Sequence, residues 1–288
     1  MIEYVGIDIG GTNIRVAGID KNNNIVSFNS VRTLENVRSS EDLYFKIKEL
    51  IERITSFQKI KGIGIGCPGA IDEKGNITTC RNVEYLKDYP LVDRLEKDFK
   101  VKVKIENDAR IAAYAESLEG AGKDFNNVCY ITISTGLGGG VVIDKKIYQG
   151  GRNIGGYFSR MILDGENIAE HLISGTALIN RAKEKTKQNI VIAQEVFTLA
   201  QNNKEAEEIV IEFKRNLVNL LLNISITLSP EIIVVGGGVM KGKKYFFNDV
   251  KKEFKQKAHG FAKDTKIVEA KLKEPGVLGA ALYVKNNI

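Results

Sequence analysis

Hydrophobic and polar residues alternate from Glu3 to Asp20, break at Gly10-Gly11-Thr12, and then resume. A period of two with a glycine interruption predicts a strand hairpin. A third strand is expected over Ile25–Val31. Leu43, Ile47, Leu50 and Ile54 then recur at helical spacing, which predicts a helix over Glu41–Phe57 with Ser39 or Ser40 as its N-cap. The apolar run Gly62–Cys67, closed by Pro68-Gly69, reads as a buried strand whose alternating glycines allow close packing. A short helix at Leu91–Phe99, a strand at Val101–Ile105 and a helix starting just after Glu106 complete a mixed sheet with α/β crossovers.

The pattern restarts after Gly120-Ala121-Gly122. Strand Val128–Ser134 turns through glycines into strand Gly139–Asp144, with Lys145–Tyr148 continuing. Helices are expected over Ile168–Lys183, Ala193–Gln201 and Lys204–Leu228, the last with a wide apolar face from Ile209, Phe213, Leu217, Leu220, Leu221 and Ile224. Strand Ile232–Val235 runs into Gly236-Gly237-Gly238; a helix near Tyr245–Lys257, a strand near Lys266–Val268 and a helix from Gly276 follow. The economical reading is an α/β chain of two lobes, each opening with a glycine-interrupted hairpin. Residues 1–118 with 276–288 make the first and 119–275 the second.

Composition narrows the function classes. With 43% hydrophobic and 27% charged residues the chain reads as an ordinary globular protein, and no apolar run approaches a membrane span. The chain opens directly into a strand pattern without a basic-then-apolar leader, so a cytoplasmic setting is expected. Cys67, Cys80 and Cys129 are scattered and only two histidines exist, so no zinc cluster is expected and the cysteines read as buried free thiols. The net charge of +6 is interleaved with acids, which reads as a solvated surface with no nucleic-acid site.

The glycines carry the chemistry. Phosphate oxygens are held by backbone N–H groups, and glycine lets backbone approach without an obstructing Cβ. Asp8, Gly10, Gly11 and Thr12 supply one such loop, with a carboxylate able to face a bound Mg²⁺. Thr135 and Gly136, within Ser134–Gly140, supply a second, and Gly236, Gly237 and Gly238 a third that suits a nucleoside. Each alone also fits a tight hairpin or bulge; three at strand ends, the first led by Asp8, favour a nucleotide site. Neither a Walker loop nor a Rossmann fingerprint is present. Glu106-Asn107-Asp108-Ala109 ends another strand, where Asn or Asp is either an N-cap or, for Asp108, a base for a substrate hydroxyl.

These motifs, in this order, resemble the ROK group of bacterial repressors, unassigned reading frames and sugar kinases. The resemblance implies the actin-like, ribonuclease H-like two-lobed ATPase fold, whose closure excludes water from phosphoryl transfer. D-I-G-G-T at Asp8–Thr12 resembles the family's first phosphate loop, and S-T-G-L-G-G-G its second. G-C-P-G-A-I-D at Gly66–Asp72 resembles its sugar-side turn, P-E-x-x-x-x-G-G-G at Pro230–Gly238 its nucleoside motif, and G-V-L-G-A-A at Gly276–Ala281 its closing helix. E-N-D-A implies Asp108 as catalytic base and Asn107 as a sugar contact, with Gly69 and Asn82 as further sugar-side candidates.

The departures from the family are specific. Where the family carries A-G-E-I-G-H-M, this chain has Gly155–Met161, with Tyr157 in place of the sugar-binding Glu and Arg160 in place of the zinc-binding His. The cysteine cluster is missing, whereas Glu170 matches the family's second sugar-binding Glu. The resemblance therefore implies ATP and Mg²⁺ without structural zinc, a small-molecule sugar, and a homodimer. Zinc-less members with this tyrosine are most similar to N-acetylmannosamine kinases. Tyr157 and Arg160 either read an acylamino sugar or simply pack the loop. Glucokinases and β-glucoside kinases belong to the same resemblance, and a non-catalytic sugar-binding protein or a sugar-sensing regulator is the remaining alternative.

Overall fold

The computed structural model describes residues 1–56, 58–72, 75–80 and 83–288, with Leu34 described by its backbone alone. The chain forms two compact units. One comprises Met1–Gly120, Ile147–Gly155 and Leu272–Ile288, and the other Ala121–Lys146 and Gly156–Lys271. Chain order alone assigns Ile147–Gly155 to the second lobe; these residues instead belong with the first unit.

In the first unit, β1 (Tyr4–Ile9), β2 (Asn13–Ile19), β3 (Ile25–Arg32), β4 (Gly62–Cys67) and β5 (Lys102–Asn107) form one sheet in the order β3-β2-β1-β4-β5. The β1–β2–β3 meander is antiparallel, while β4 and β5 run parallel to β1. Helix α1 (Ser40–Thr55) is capped by Ser39, whose hydroxyl oxygen accepts the Asp42 N–H at 3.1 Å, and it buries the expected Leu43, Ile47, Leu50 and Ile54. Helix α2 (Leu91–Phe99) precedes β5, and α3 (Asp108–Leu118) follows it without a gap.

The last helix, Pro275–Asn286, lies on β1, β4 and α3. Its approach explains the glycines of those strands. A Cβ on Gly64 would fall 1.7 Å from the Ala280 carbonyl oxygen, and one on Gly6 would fall 1.9 Å from that of Val277. Backbone there occupies the space of a side chain, as expected for the Gly62–Cys67 run.

The second unit repeats the plan. β6 (Val128–Ile133) and β7 (Leu137–Ile143) form an antiparallel hairpin; β8 (Ile232–Gly236) runs parallel to β6, and β9 (Lys266–Glu269) parallel to β8. The short strand Lys146–Ile147 lies at the β7 edge. The long helix Lys204–Leu228 buries its whole predicted apolar face. Phe197, Phe213 and Phe246 pack in the core, with ring centroids 5.0 to 5.6 Å apart. One expected element divides: Ile168–Lys183 is two helices, Ala169–Ile173 and Gly175–Thr186. Ser174 breaks them apart, because its extended backbone lets its hydroxyl cap the second helix through the Ala177 N–H at 3.1 Å. Among the described residues no helix is long and apolar enough to cross a membrane. All three cysteines are buried and none is joined in a disulfide.

Gly64→Ala should lower stability by about 1–3 kcal/mol, since the new methyl group meets helix backbone that cannot rotate away. Equilibrium urea unfolding checks this, and an unchanged midpoint would contradict the close packing.

Candidate active site

Parallel pairing fixes which residues meet at the strand ends of the first unit. Asp8 of β1 lies opposite Gly66 of β4, which lies opposite Glu106 of β5. Two residues later Asp108 opens α3, so the carboxyl ends of three parallel strands gather two carboxylates, as such ends commonly gather ligand-binding groups. The two elements adjoin here: a Cβ on Gly66 would lie in ordinary contact, 3.7 Å from the Asp108 Cα.

Asp108 is half-buried, and its Oδ1 accepts the Ala109 N–H at 2.8 Å. Burial, and then the negative charge of Asp8, push its carboxyl up to about 6. Asp8 is itself raised by burial, against the pull of Arg15, whose Nη1 donates to Asp8 Oδ2 at 3.0 Å. Arg15 Nε also lies 3.6 Å from Glu274. Beside them the Cys67 thiol is driven well up by its hydrogen bond with Cys80 and by burial, so it stays protonated.

The first glycine loop hangs on Thr33. Its Oγ1 donates to the Gly10 carbonyl at 2.7 Å and its N–H donates to the Thr12 carbonyl at 2.9 Å, while the Gly10 N–H closes the turn onto Asn13 at 2.9 Å. Neither Gly10 nor Gly11 has a positive φ, so the glycines serve clearance, not left-handed backbone. Thr12 is exposed.

Asn107 caps α3: its Oδ1 accepts the Ala109 and Arg110 N–H groups at 3.1 and 3.2 Å, and its Nδ2 donates to the Gly69 carbonyl at 3.0 Å. The capping alternative open in the sequence is thus realised. Gly69 has φ +108, and a Cβ there would meet the Thr79 carbonyl oxygen at 1.8 Å. Asn82 lies outside the described residues.

In the second unit, three backbone features converge. The Gly238 N–H donates to Ser134 Oγ at 3.0 Å, the Gly175 N–H to the Ser134 carbonyl at 2.8 Å, and the Thr176 N–H to the Thr135 carbonyl at 3.1 Å. The second glycine loop, the start of helix Gly175–Thr186 and Gly236–Gly238 therefore form one cluster. The N–H groups of Gly175, Thr176, Ala177 and Gly238 are all engaged in holding this cluster together. Gly237 adopts φ +95 against Ile133 backbone. Thr135 is exposed.

Glu170 is half-buried against this cluster: its Oε2 accepts the Leu137 N–H at 3.2 Å, and a Cβ on Gly136 would come 2.8 Å from the same oxygen. Tyr157 is half-buried and precedes the short 3₁₀ turn Phe158–Arg160. Phe158 is buried, and only a glycine at 139 leaves room for its ring, since a Cβ there would fall 2.4 Å from it. Arg160 is exposed.

The donor set fits Mg²⁺ carried in with a nucleotide. Mg²⁺ prefers oxygen ligands, keeps several waters and needs only one or two protein carboxylates beside substrate phosphates. Asp8, with Asp108 in the same field, offers that. No group of three or more His, Cys, Asp or Glu side chains is placed to cage a metal among the described residues.

Several residues of this site are not evident from the sequence: Thr33, Arg15, and a network in which the buried Glu106 and Arg110 bind the exposed Gln149 and the half-buried Asn153.

The ROK family model matches residues 4–287. A glucokinase of Halalkalibacterium halodurans is 29% identical, covering 98% of this chain and 94% of the relative. An N-acetylmannosamine kinase of Vibrio vulnificus is 28% identical, covering 85% of each. The crystal structure of a ROK hexokinase from Thermus thermophilus superposes with a TM-score of 0.86 at 29% identity, covering 99% of both chains.

Titrating the Asp108 carboxyl by ¹³C NMR should give a midpoint near 6. In Asp8→Asn the midpoint should fall, because a like charge that opposes ionisation is gone. An unmoved midpoint would show that Asp8 does not act on Asp108.

Proposed function

The chain belongs to the ROK family, and from that premise we propose that it is an ATP-dependent sugar kinase acting on the C6 hydroxyl of an N-acylated hexose, N-acetylmannosamine foremost. The observation that carries the kinase reading is Asp108: a strand-end carboxyl beside Asp8, tuned to about 6 and therefore ionised at neutral pH. A general base works best when its pKa lies near the operating pH.

In this reading Asp108 accepts the proton of the sugar hydroxyl as that oxygen bonds to the γ-phosphorus of ATP. The bond from phosphorus to the bridging oxygen breaks, and ADP leaves. Phosphoryl transfer asks little else of a protein than positioning and charge neutralisation. Asp8 would hold Mg²⁺, which when bound offsets charge on the β- and γ-phosphates. Gly10, Gly11 and Thr12 are assigned to phosphate, as are Thr135 and Gly136. Gly236–Gly238 take the nucleoside.

Asn107, Tyr157 and Glu170 are assigned to the sugar, with Gly69 and Arg160 supporting. The cap formed by Asn107 engages its Oδ1 and one N–H, so its contribution to sugar is through the remaining Nδ2 hydrogen. Tyr157 offers a ring face and a hydroxyl where a carboxylate would offer two acceptor oxygens, which suits an acylamino group better than two free hydroxyls. A glucokinase is the second reading, favoured by the glucokinase relative at 29% identity.

A coupled assay of ADP release across glucose, N-acetylglucosamine, N-acetylmannosamine and cellobiose tests both readings. N-acetylmannosamine should give the highest kcat/KM, and Tyr157→Glu should move the preference toward glucose. Preference for glucose in the wild type would favour the second reading. Unchanged ratios in the variant would leave Tyr157 as loop packing.

A further inference from the structure

Arg110 is the largest fully buried side chain of the described residues, and neither the phosphate loops nor the base assignment uses it. It stands in α3 two residues after Asp108 and four after Glu106, which lies near the end of β5. Both side chains are 1% exposed and they pair at 3.1 Å. A buried ion pair is a weak source of stability, because desolvation of both charges offsets most of their attraction. What the pair organises is therefore more informative than its energy.

The rest of the guanidinium is directed at one loop. Arg110 Nη1 donates to Asn153 Oδ1 at 2.7 Å, Nη2 to the Asn153 carbonyl at 2.7 Å, and Nε to the Gly155 carbonyl at 3.0 Å. Glu106 completes the grip: its Oε2 accepts from Gln149 Nε2 at 2.5 Å, while its Oε1 also accepts the Asn107 N–H at 2.7 Å. The loop is closed on itself by the Gly155 N–H donating to the Gln149 carbonyl at 2.8 Å. Its other side is tied to the sugar-side turn, where Asn153 Nδ2 donates to the Ile71 carbonyl. Gly150 and Asn153 both adopt positive φ, which these two residue types accommodate, so the loop turns sharply in a shape that the network holds.

We propose that Arg110 is a positioning residue of the sugar site: its planar fork fixes loop Gln149–Gly155 and, through Asn153, the turn at Ile71 against the Glu106–Asp108 corner, so that the sugar-facing wall is set before substrate arrives. The inference rests on the sugar-kinase reading with Asp108 as base. The guanidinium suits the task because its donors lie in a rigid plane that matches two carbonyls and an amide oxygen together. A lysine could satisfy Glu106 but could not hold three loop acceptors at once.

Two variants separate positioning from folding. Arg110→Lys keeps a charge for Glu106 and removes the fork, whereas Asn153→Ala leaves the ion pair whole and removes the loop's main anchor. In both, KM for the preferred sugar should rise roughly ten- to hundredfold, as for other small misplacements of binding groups, while KM for ATP stays within about twofold. Hydrogen exchange of residues 149–155 should accelerate in parallel. If Arg110→Lys does not fold, Asn153→Ala decides alone. With an active wild type, an unchanged sugar KM, or equal rises in both KM values, would overturn the positioning role. A wild type that releases no ADP with any sugar would overturn the kinase reading and this role together.

Discussion

The structure turns on the register that sets Asp8 beside Asp108. Two carboxylates meet because β1, β4 and β5 run parallel and end level, with Gly66 between them contributing no side chain. Burial and like charge then raise Asp108 to about 6, a value that neither residue's ordinary chemistry supplies. The last helix enforces the arrangement from the face that carries Asp8, entering so close to β1 and β4 that Gly6 and Gly64 leave no room for Cβ atoms, and a Cβ on Gly276 would fall 2.7 Å from the Asp8 Cγ. A one-residue slip of β1 would turn Asp8 to the other face of the sheet and dissolve the pair.

Much of this was legible in the chain. The alternation broken by Gly10-Gly11, the run Gly62–Cys67 and the long apolar face of Lys204–Leu228 each follow from short-range periodicity, which local sequence carries directly. Strand ends are legible for the same reason, and so Asp8 and Asp108 stood out. What was not legible depends on contacts between distant segments. Arg110 in a helix reads as an ordinary solvated cation, because nothing nearby in sequence announces that Asn153 and Gly155 will cover it. The break at Ser174 has the same origin: Ser174-Gly175 is a modest helix interruption locally, and the Ser134 carbonyl that receives the Gly175 N–H lies some forty residues earlier.

The two units divide the chemistry differently. In the first, side chains do the work: paired carboxylates, a capping asparagine, a buried guanidinium. In the second, backbone does it, with Ser134, Gly175 and Gly238 brought together by main-chain N–H groups and one hydroxyl. Polyphosphate is well served by backbone donors, since they present positive dipoles without the rotamer entropy of lysine side chains. Glu170 is the exception, a carboxylate held by the Leu137 N–H against Gly136. The glycine spacing is a local pattern that shows in the sequence, while the sugar assignment proposed for this chain rests on individual substitutions such as Tyr157.

The account stands on Asp108 receiving the proton of the phosphoryl acceptor, and replacing that carboxylate with its neutral isostere tests it most directly. Asp108→Asn keeps the size of the side chain and can still accept the Ala109 N–H, so the α3 start should hold, as circular dichroism and thermal unfolding would verify. Its kcat with the preferred sugar should fall by about 10²–10⁴-fold. Turnover near the wild-type rate in a folded Asp108→Asn protein would contradict the account.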